Sequence, residues 1–175
     1  MTEPKILPLL PSLFREPLGS QAPLLLLNNA HATELSFVSA ARMAQLVEEA
    51  FLACSIGDAD ALLLAFDQDA DYDSPNFLWF RERFPRFVYV DRVVVAPAMR
   101  GRGLARMLYD ALFQRAAAAG HERVVCEVNS DPPNPASDAF HAALGFAEVG
   151  KAQLAHSGKT VRYLCRDLIV GVPLA

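Results

Sequence analysis

Between residues 33 and 50 the apolar positions Leu35, Val38, Met43, Leu46, Val47 and Ala50 recur at helical spacing. Glu48 and Glu49 turn away from that stripe, so the stretch predicts an amphipathic helix. Leu104, Leu108, Ala111, Leu112 and Ala116 share a second helical face over residues 104–119, ended by Gly120. Elsewhere the period changes. Two short apolar runs, 51–56 and 61–66, flank Gly57-Asp58 and read as strand, turn, strand. Residues 87–95 are apolar and β-branched, a buried strand halted by Pro97. Residues 123–129 predict a further strand, 136–144 a short helix closed by Gly145, and 159–168 a last strand. The four leucines at 24–27, closed by Asn28-Asn29, predict a first strand. Residues 67–80 carry Asp, Ser, Pro and Asn and predict a loop, and 131–135 a rigid turn. Residues 1–20 contain four prolines and no period, which predicts an irregular arm ahead of a single domain over 21–175. The order β, α, ββ, β, α, β, α, β predicts an α/β fold, with helices against a mixed sheet.

Composition narrows the classes. At 175 residues, 53% hydrophobic and 21% charged, the chain fits one globular domain able to fold without a metal or disulfide staple. No apolar run approaches the ~20 residues of a spanning helix. Glu3, Glu16 and the prolines at 4, 8 and 11 interrupt any leader-like segment, so the expectation is a cytoplasmic protein with no membrane partner. Cys54, Cys126 and Cys165 are an odd number in no metal spacing and read as reduced, buried thiols with no metal. A net charge of −4 argues against nucleic acid as a partner. That charge is uneven. Residues 81–106 hold seven of the 16 basic residues against Glu82 and Asp91, whereas 58–73 hold six Asp and no base. Solvated surfaces explain either block; a polyanion site beside a cation-preferring one explains both.

The central motif joins the strand at 87–95 to the helix at 104–119 through Arg100-Gly101-Arg102-Gly103-Leu104-Ala105. A helix N-terminus presents unpaired N–H groups and a partial positive charge, so it suits a phosphate. Glycines let the backbone close on a ligand, and Arg100 and Arg102 add charged donors. A P-loop would end in Gly-Lys-Ser/Thr, which is missing, and Arg106 stands where the dinucleotide fingerprint needs a small residue.

Arg100-x-x-Gly103-x-Ala105 resembles the acyl-CoA pyrophosphate loop of the GNAT acetyltransferase superfamily. A second motif agrees. Asn134-x-x-Ser137-x-x-Phe140-His141-x-x-x-Gly145-Phe146 resembles the downstream Asn-x-x-Ser/Ala-x-x-Phe-Tyr-x-x-x-Gly-Phe element, about 30 residues on. Tyr72 to Phe80 and Cys126-Glu127-Val128-Asn129 look similar to a bacterial branch of the superfamily, and the likeness extends over roughly residues 24–168. The resemblance implies a mixed, mostly antiparallel twisted sheet with a splayed parallel strand pair, flanked by helices on both faces. It implies acetyl-CoA as cosubstrate and direct attack of a primary amine on the thioester. Pantetheine would pair with the backbone of Val93, Val94 and Val95, and pyrophosphate would sit on Arg100, Gly101, Arg102, Gly103, Leu104 and Ala105. Asn134, Ser137 and Phe140 would complete the cofactor side.

That chemistry needs a proton acceptor for the amine, a donor for the oxyanion and an acid for the thiolate. Backbone N–H of Val94 or Val95 suits the oxyanion. Asp91 lies four residues before Val95 on the same face, and Glu127 lies mid-strand among Val124, Val125 and Val128. Each is a candidate base; each could instead pair with Arg92, Arg123 or Arg162. The superfamily's usual acid is Tyr, and this chain carries His141 there, whose neutral ring still has one N–H to donate; it could also bind CoA or only pack. On the acceptor side, four Asp between residues 67 and 73 favour a small cationic amine. Asn129, Tyr72, Phe77, Trp79 and Phe80 are candidate contacts, although Trp79 and Phe80 also suit a core. Asn28, Asn29 and His31 are further candidates. A protein or peptide N-acetyltransferase, a non-catalytic acyl-CoA sensor and, more remotely, a nucleotide-binding regulator stay open. So does a homodimer through the Pro-rich arm or the tail Val170-Gly-Val-Pro-Leu.

Overall fold

A computed structural model describes residues 4–15, 22–155 and 157–168. In chain order the elements are β1 (Ile6–Pro8), α1 (Pro23–Ala30), α2 (Ala32–Leu35), α3 (Ala40–Glu49), β2 (Leu52–Ile56) and β3 (Ala61–Asp67). Then come α4 (Pro75–Arg81), β4 (Val88–Val95), α5 (Leu104–Ala118), β5 (Arg123–Asp131), α6 (Pro135–Ala143), β6 (Ala147–Gln153) and β7 (Thr160–Asp167). Short 3-10 turns occupy Pro11–Phe14 and Pro97–Met99. The strands form one sheet in the order β1-β2-β3-β4-β5-β7-β6. It is mostly antiparallel, with β4–β5 the parallel pair, and it is flanked by helices, as the resemblance implied. The register of the parallel pair joins Val88 to Val124 and Tyr89 to Val125, while β4 runs on to Val95.

The chain forms two compact units, Met1–Asp71 with Val90–Leu112, and Tyr72–Tyr89 with Phe113–Ala175. In the first, β3 is buried from Ala61 to Phe66, and Met43, Leu46 and Val47 of α3 are buried too. In the second, Phe77, Phe80, Phe87, Tyr89 and Tyr163 are all at 1% exposure or less and meet mainly edge to face or tilted. Such ring pairs stabilise beyond the area they bury.

Five local expectations change. Residues 24–27 are helical, not a strand. Pro23 sits in the first turn, where its fixed φ and missing N–H cost nothing, and Leu24, Leu25 and Asn28 are buried while Leu26 is exposed, a helical spacing. The helix expected over 33–50 is broken. Ser36 takes a positive φ of 68°, Asn29 captures both the N–H and the C=O of Val38 (3.0 and 2.9 Å), and Ser39 Oγ caps the new helix by accepting from Arg42 N. Residues 75–81 are a helix inside the expected loop, again opened by a proline. β6 was not foreseen: as an edge strand it is largely exposed and shows no apolar alternation. Within the arm, Ile6–Pro8 pairs with Cys54 to Ile56, so it is not wholly irregular. The tail Val170-Gly-Val-Pro-Leu lies outside the described residues. The three cysteines are buried and not joined by disulfides. Among the described residues no helix is long and apolar enough to cross a membrane.

Candidate active site

The turn between β4 and α5 is built by the backbone. Pro97 begins a 3-10 turn closed by Met99 N to Ala96 O at 2.8 Å, and Ala96 N donates to Asp60 O at 2.8 Å, anchoring the end of β4. Gly101 and Gly103 have φ of 75° and 77°, the left-handed region where side chains are strained. No atom lies within 4 Å of where their Cβ atoms would stand, so these glycines serve the turn and not internal packing. Met107 N donates to Gly103 O at 3.0 Å, which starts the ladder of α5 and leaves earlier N–H groups at its open end. Arg100 and Arg102 are exposed. Leu104 is buried and Ala105 half-buried, so Leu104 joins this turn through its backbone. An anion fits here: free donors, a helix dipole and two guanidinium groups.

On β4, Val94 is buried and Val93 and Val95 are half-buried. Asp91 is committed elsewhere. Arg92 Nε donates to Asp91 Oδ2 at 2.9 Å, with both side chains below a tenth exposed. Arg92 Nη1 also donates to Asn28 Oδ1 (3.0 Å) and Ser36 O (3.1 Å). Asn28 and Asn29 thus tie the α1–α3 connection together. His31, half-buried, caps the end of α1 through its backbone N–H.

Glu127 sits in a different setting. Its Oε1 accepts from Asn76 Nδ2 at 3.0 Å and from Tyr89 OH at 3.1 Å. Tyr163, its cross-strand partner on β7, donates from OH to Asn76 Oδ1 at 3.0 Å. Burial and then the Glu127 charge, against a smaller opposing effect of Arg83, push the Tyr163 phenol up to about 12, so it stays a donor. The arginines weighed as partners pair with other acids: Arg123 with Glu122, Arg162 with Asp138 and Glu148. Asn76, Tyr89 and Tyr163 escaped the sequence reading. The Ser74-Pro75 helix start was the signal that could have placed Asn76 on a turn of helix.

Asn134 caps α6, its Oδ1 accepting from Ser137 N at 3.2 Å. His141 is 3% exposed and stands edge-on to Phe140 and Phe146. Its Nδ1 lies 2.8 Å from the Ser137 carbonyl and 3.2 Å from Ser137 Oγ. A carbonyl only accepts, so Nδ1 carries the proton, and in the neutral ring Nε2 is the lone pair. Burial holds the His141 pKa below 6.5, with the Ser137 bond and Asp138 opposing. Phe140 itself is half-buried.

Of the acceptor candidates, Phe80 is wholly buried and Tyr72 is 9% exposed against Phe77 and Tyr89. Trp79 is half-buried, stacked on Tyr163 at 4.1 Å beneath the Arg83 guanidinium at 4.0 Å, and a Cβ on Gly150 would come 2.5 Å from its ring. These three are fixed parts of the second unit. Asn129, half-buried on β5, faces Val161 across the ladder.

Residues 62–146 match the family model for the GNAT acetyltransferase family. No curated protein sequence matches the chain. Among solved structures, the ribosomal-protein-S18-alanine N-acetyltransferase of Escherichia coli aligns with a TM-score of 0.66 at 15% identity, over 99% of each chain. The protein smu.2055 of Streptococcus mutans aligns with a TM-score of 0.69 at 17% identity, over 93% of this chain and 98% of that one. NAA60 of Arabidopsis thaliana, solved with acetyl-CoA, gives 0.66 at 14% identity, over 97% and 100%. That match spans β3 to α6, and the fold around it is the one these solved acetyltransferases share.

Proposed function

We propose that the protein transfers an acetyl group from acetyl-CoA to a primary amine by direct attack within a ternary complex. The carrying observation is the turn from Arg100 to Ala105, where two left-handed glycines and two exposed arginines open α5. In this reading the turn holds the pyrophosphate, and the pantetheine arm pairs with Val93 to Val95, beyond the short parallel ladder. Backbone N–H of Val94 or Val95 receives the oxyanion. Glu127 takes the proton from the amine, since Asp91 is already neutralised by Arg92. Asn134 and Ser137 support the cofactor side by capping α6.

His141 occupies the acid slot but supports α6, because its one N–H is given to Ser137; as the C–N bond forms and the thioester C–S bond breaks, CoA departs as its thiolate and takes a proton from solvent water. His141→Phe is expected to keep kcat within a few-fold of the parent. It also carries a pH signature. The unfolded ring binds a proton at pH values where the folded ring does not, so the parent loses stability as pH falls through 6.5 toward the lower folded value. Denaturant unfolding at pH 7.5 and 5.5 should show a smaller acid loss in the variant. A kcat reduced a hundredfold would return His141 to the mechanism.

For the acceptor, the acidic stretch from Asp67 to Asp73 supports a small cationic amine. A peptide or protein amine is the second reading. It is favoured by the burial of Tyr72 and Phe80, which takes two aromatic walls from a closed pocket. A panel of polyamines, amino acids and Ala- or Met-initiated peptides separates the two by turnover, and binding without turnover across it would favour a sensor. The first test is calorimetric titration with acetyl-CoA against dephospho-CoA and NAD. Micromolar acetyl-CoA affinity is expected, weakened at least tenfold in Arg100→Ala and Gly103→Pro; absent binding overturns the reading.

A further inference from the structure

We propose that Asn76, on the helix inserted between β3 and β4, is a positioning residue for Glu127, oriented by Tyr163 and acting together with Tyr89. This rests on the reading of Glu127 as the base. The argument is one of donors and acceptors. Asn76 is 9% exposed, and Tyr89 and Tyr163 are 1% exposed, so each polar group must find its partner inside the protein. Tyr163 OH, a protonated phenol, donates to Asn76 Oδ1 at 3.0 Å, which fixes the amide so that Nδ2 points at the carboxylate. Glu127 Oε1 then receives two neutral donors, Nδ2 and Tyr89 OH. Neutral donors favour the ionised carboxylate over its acid without neutralising it. For a base in an apolar strand such donors offset the burial that would otherwise favour the protonated acid.

Three elements converge on the one oxygen: α4 supplies Asn76, β4 supplies Tyr89, and β7 supplies Tyr163 through the amide. The ionisable groups facing it in these contacts are the two phenols, with Arg83, stacked over Trp79, acting on Tyr163 from behind. Trp79 stacked on Tyr163, and Gly150 leaving room for the indole, hold the phenol in place.

The test reads the carboxyl directly and needs no acceptor. The full chain is labelled with 13C at the Glu side-chain carboxyl and titrated by NMR, with the Glu127 signal assigned by its loss in Glu127→Gln. In Asn76→Leu the Glu127 midpoint is expected to rise by about one pH unit or more. In Tyr163→Phe it should move the same way by less, since the amide remains but is no longer oriented. A midpoint unmoved in Asn76→Leu overturns the proposal. Should that variant not fold, Tyr163→Phe decides, and an unmoved midpoint there overturns it equally. Loss of a base role is separately visible: Glu127→Gln that keeps full turnover on an acceptor removes the reading beneath, whatever the titration shows.

Discussion

Glu127→Gln is expected to lower kcat/KM by about 10²–10⁴-fold while leaving acetyl-CoA affinity within about twofold of the parent. The amide is nearly the same shape as the carboxylate and can still accept from Asn76 and Tyr89, so the aromatic core around it should stand. What it loses is a site for the proton that the acceptor ammonium must give up before the neutral amine attacks. Asp91→Asn is the internal comparison. Its carboxylate is bound to Arg92 and below a tenth exposed, so the change should appear as lost stability and not as a lost basic group. The measurement is thiol release from acetyl-CoA with an amine acceptor across pH 5–9. In the parent, the acid limb should report the base; in Glu127→Gln, the residual rate should lose that limb. A limb unchanged in both variants would leave water as the base.

Arg92→Ala is expected to be the most destabilising single change. One guanidinium satisfies Asp91 Oδ2, Asn28 Oδ1 and the Ser36 carbonyl. Removing it takes the guanidinium from a buried carboxylate and two oriented acceptors, a loss of about 3–5 kcal/mol. For a chain of this length that lowers Tm by roughly 6–20 °C. Thermal unfolding followed by circular dichroism reads it. The double variant Arg92→Met with Asp91→Leu should recover part of the loss, because replacing both charges removes the buried carboxylate along with its guanidinium. Arg92→Lys should not rescue fully, since an ammonium does not match the spread of the three acceptors. A drop below about 1 kcal/mol would mean that water reaches the pair.

The failures of the sequence reading share a cause. Four leucines in a row carry no period, so residues 24–27 could be strand or helix; Pro23 was the deciding residue. Residues 75–81 looked like a loop because Ser, Pro and Asn are turn residues, yet Ser74-Pro75 is also how a helix begins. β6 is an edge strand that faces solvent, so no alternation betrays it. Asp91 and Glu127 looked alike, each a carboxylate on an apolar strand. One found an arginine next to it in sequence, and the other found an amide 51 residues away.

By itself the sequence determined what depends on neighbours along the chain. The hairpin at Gly57, the strand to Val95, the glycine turn and the helix after it are local backbone preferences, and glycine at 101 and 103 is legible because φ there is positive. The two spaced motifs carried the resemblance to GNAT acetyltransferases for the same reason. The tertiary structure alone decided which polar groups meet. Which carboxylate is neutralised, where the His141 proton sits, and that Tyr72 and Phe80 are core follow from burial. A buried polar group must be paired with whatever the fold brings to it, and no spacing along the chain records that.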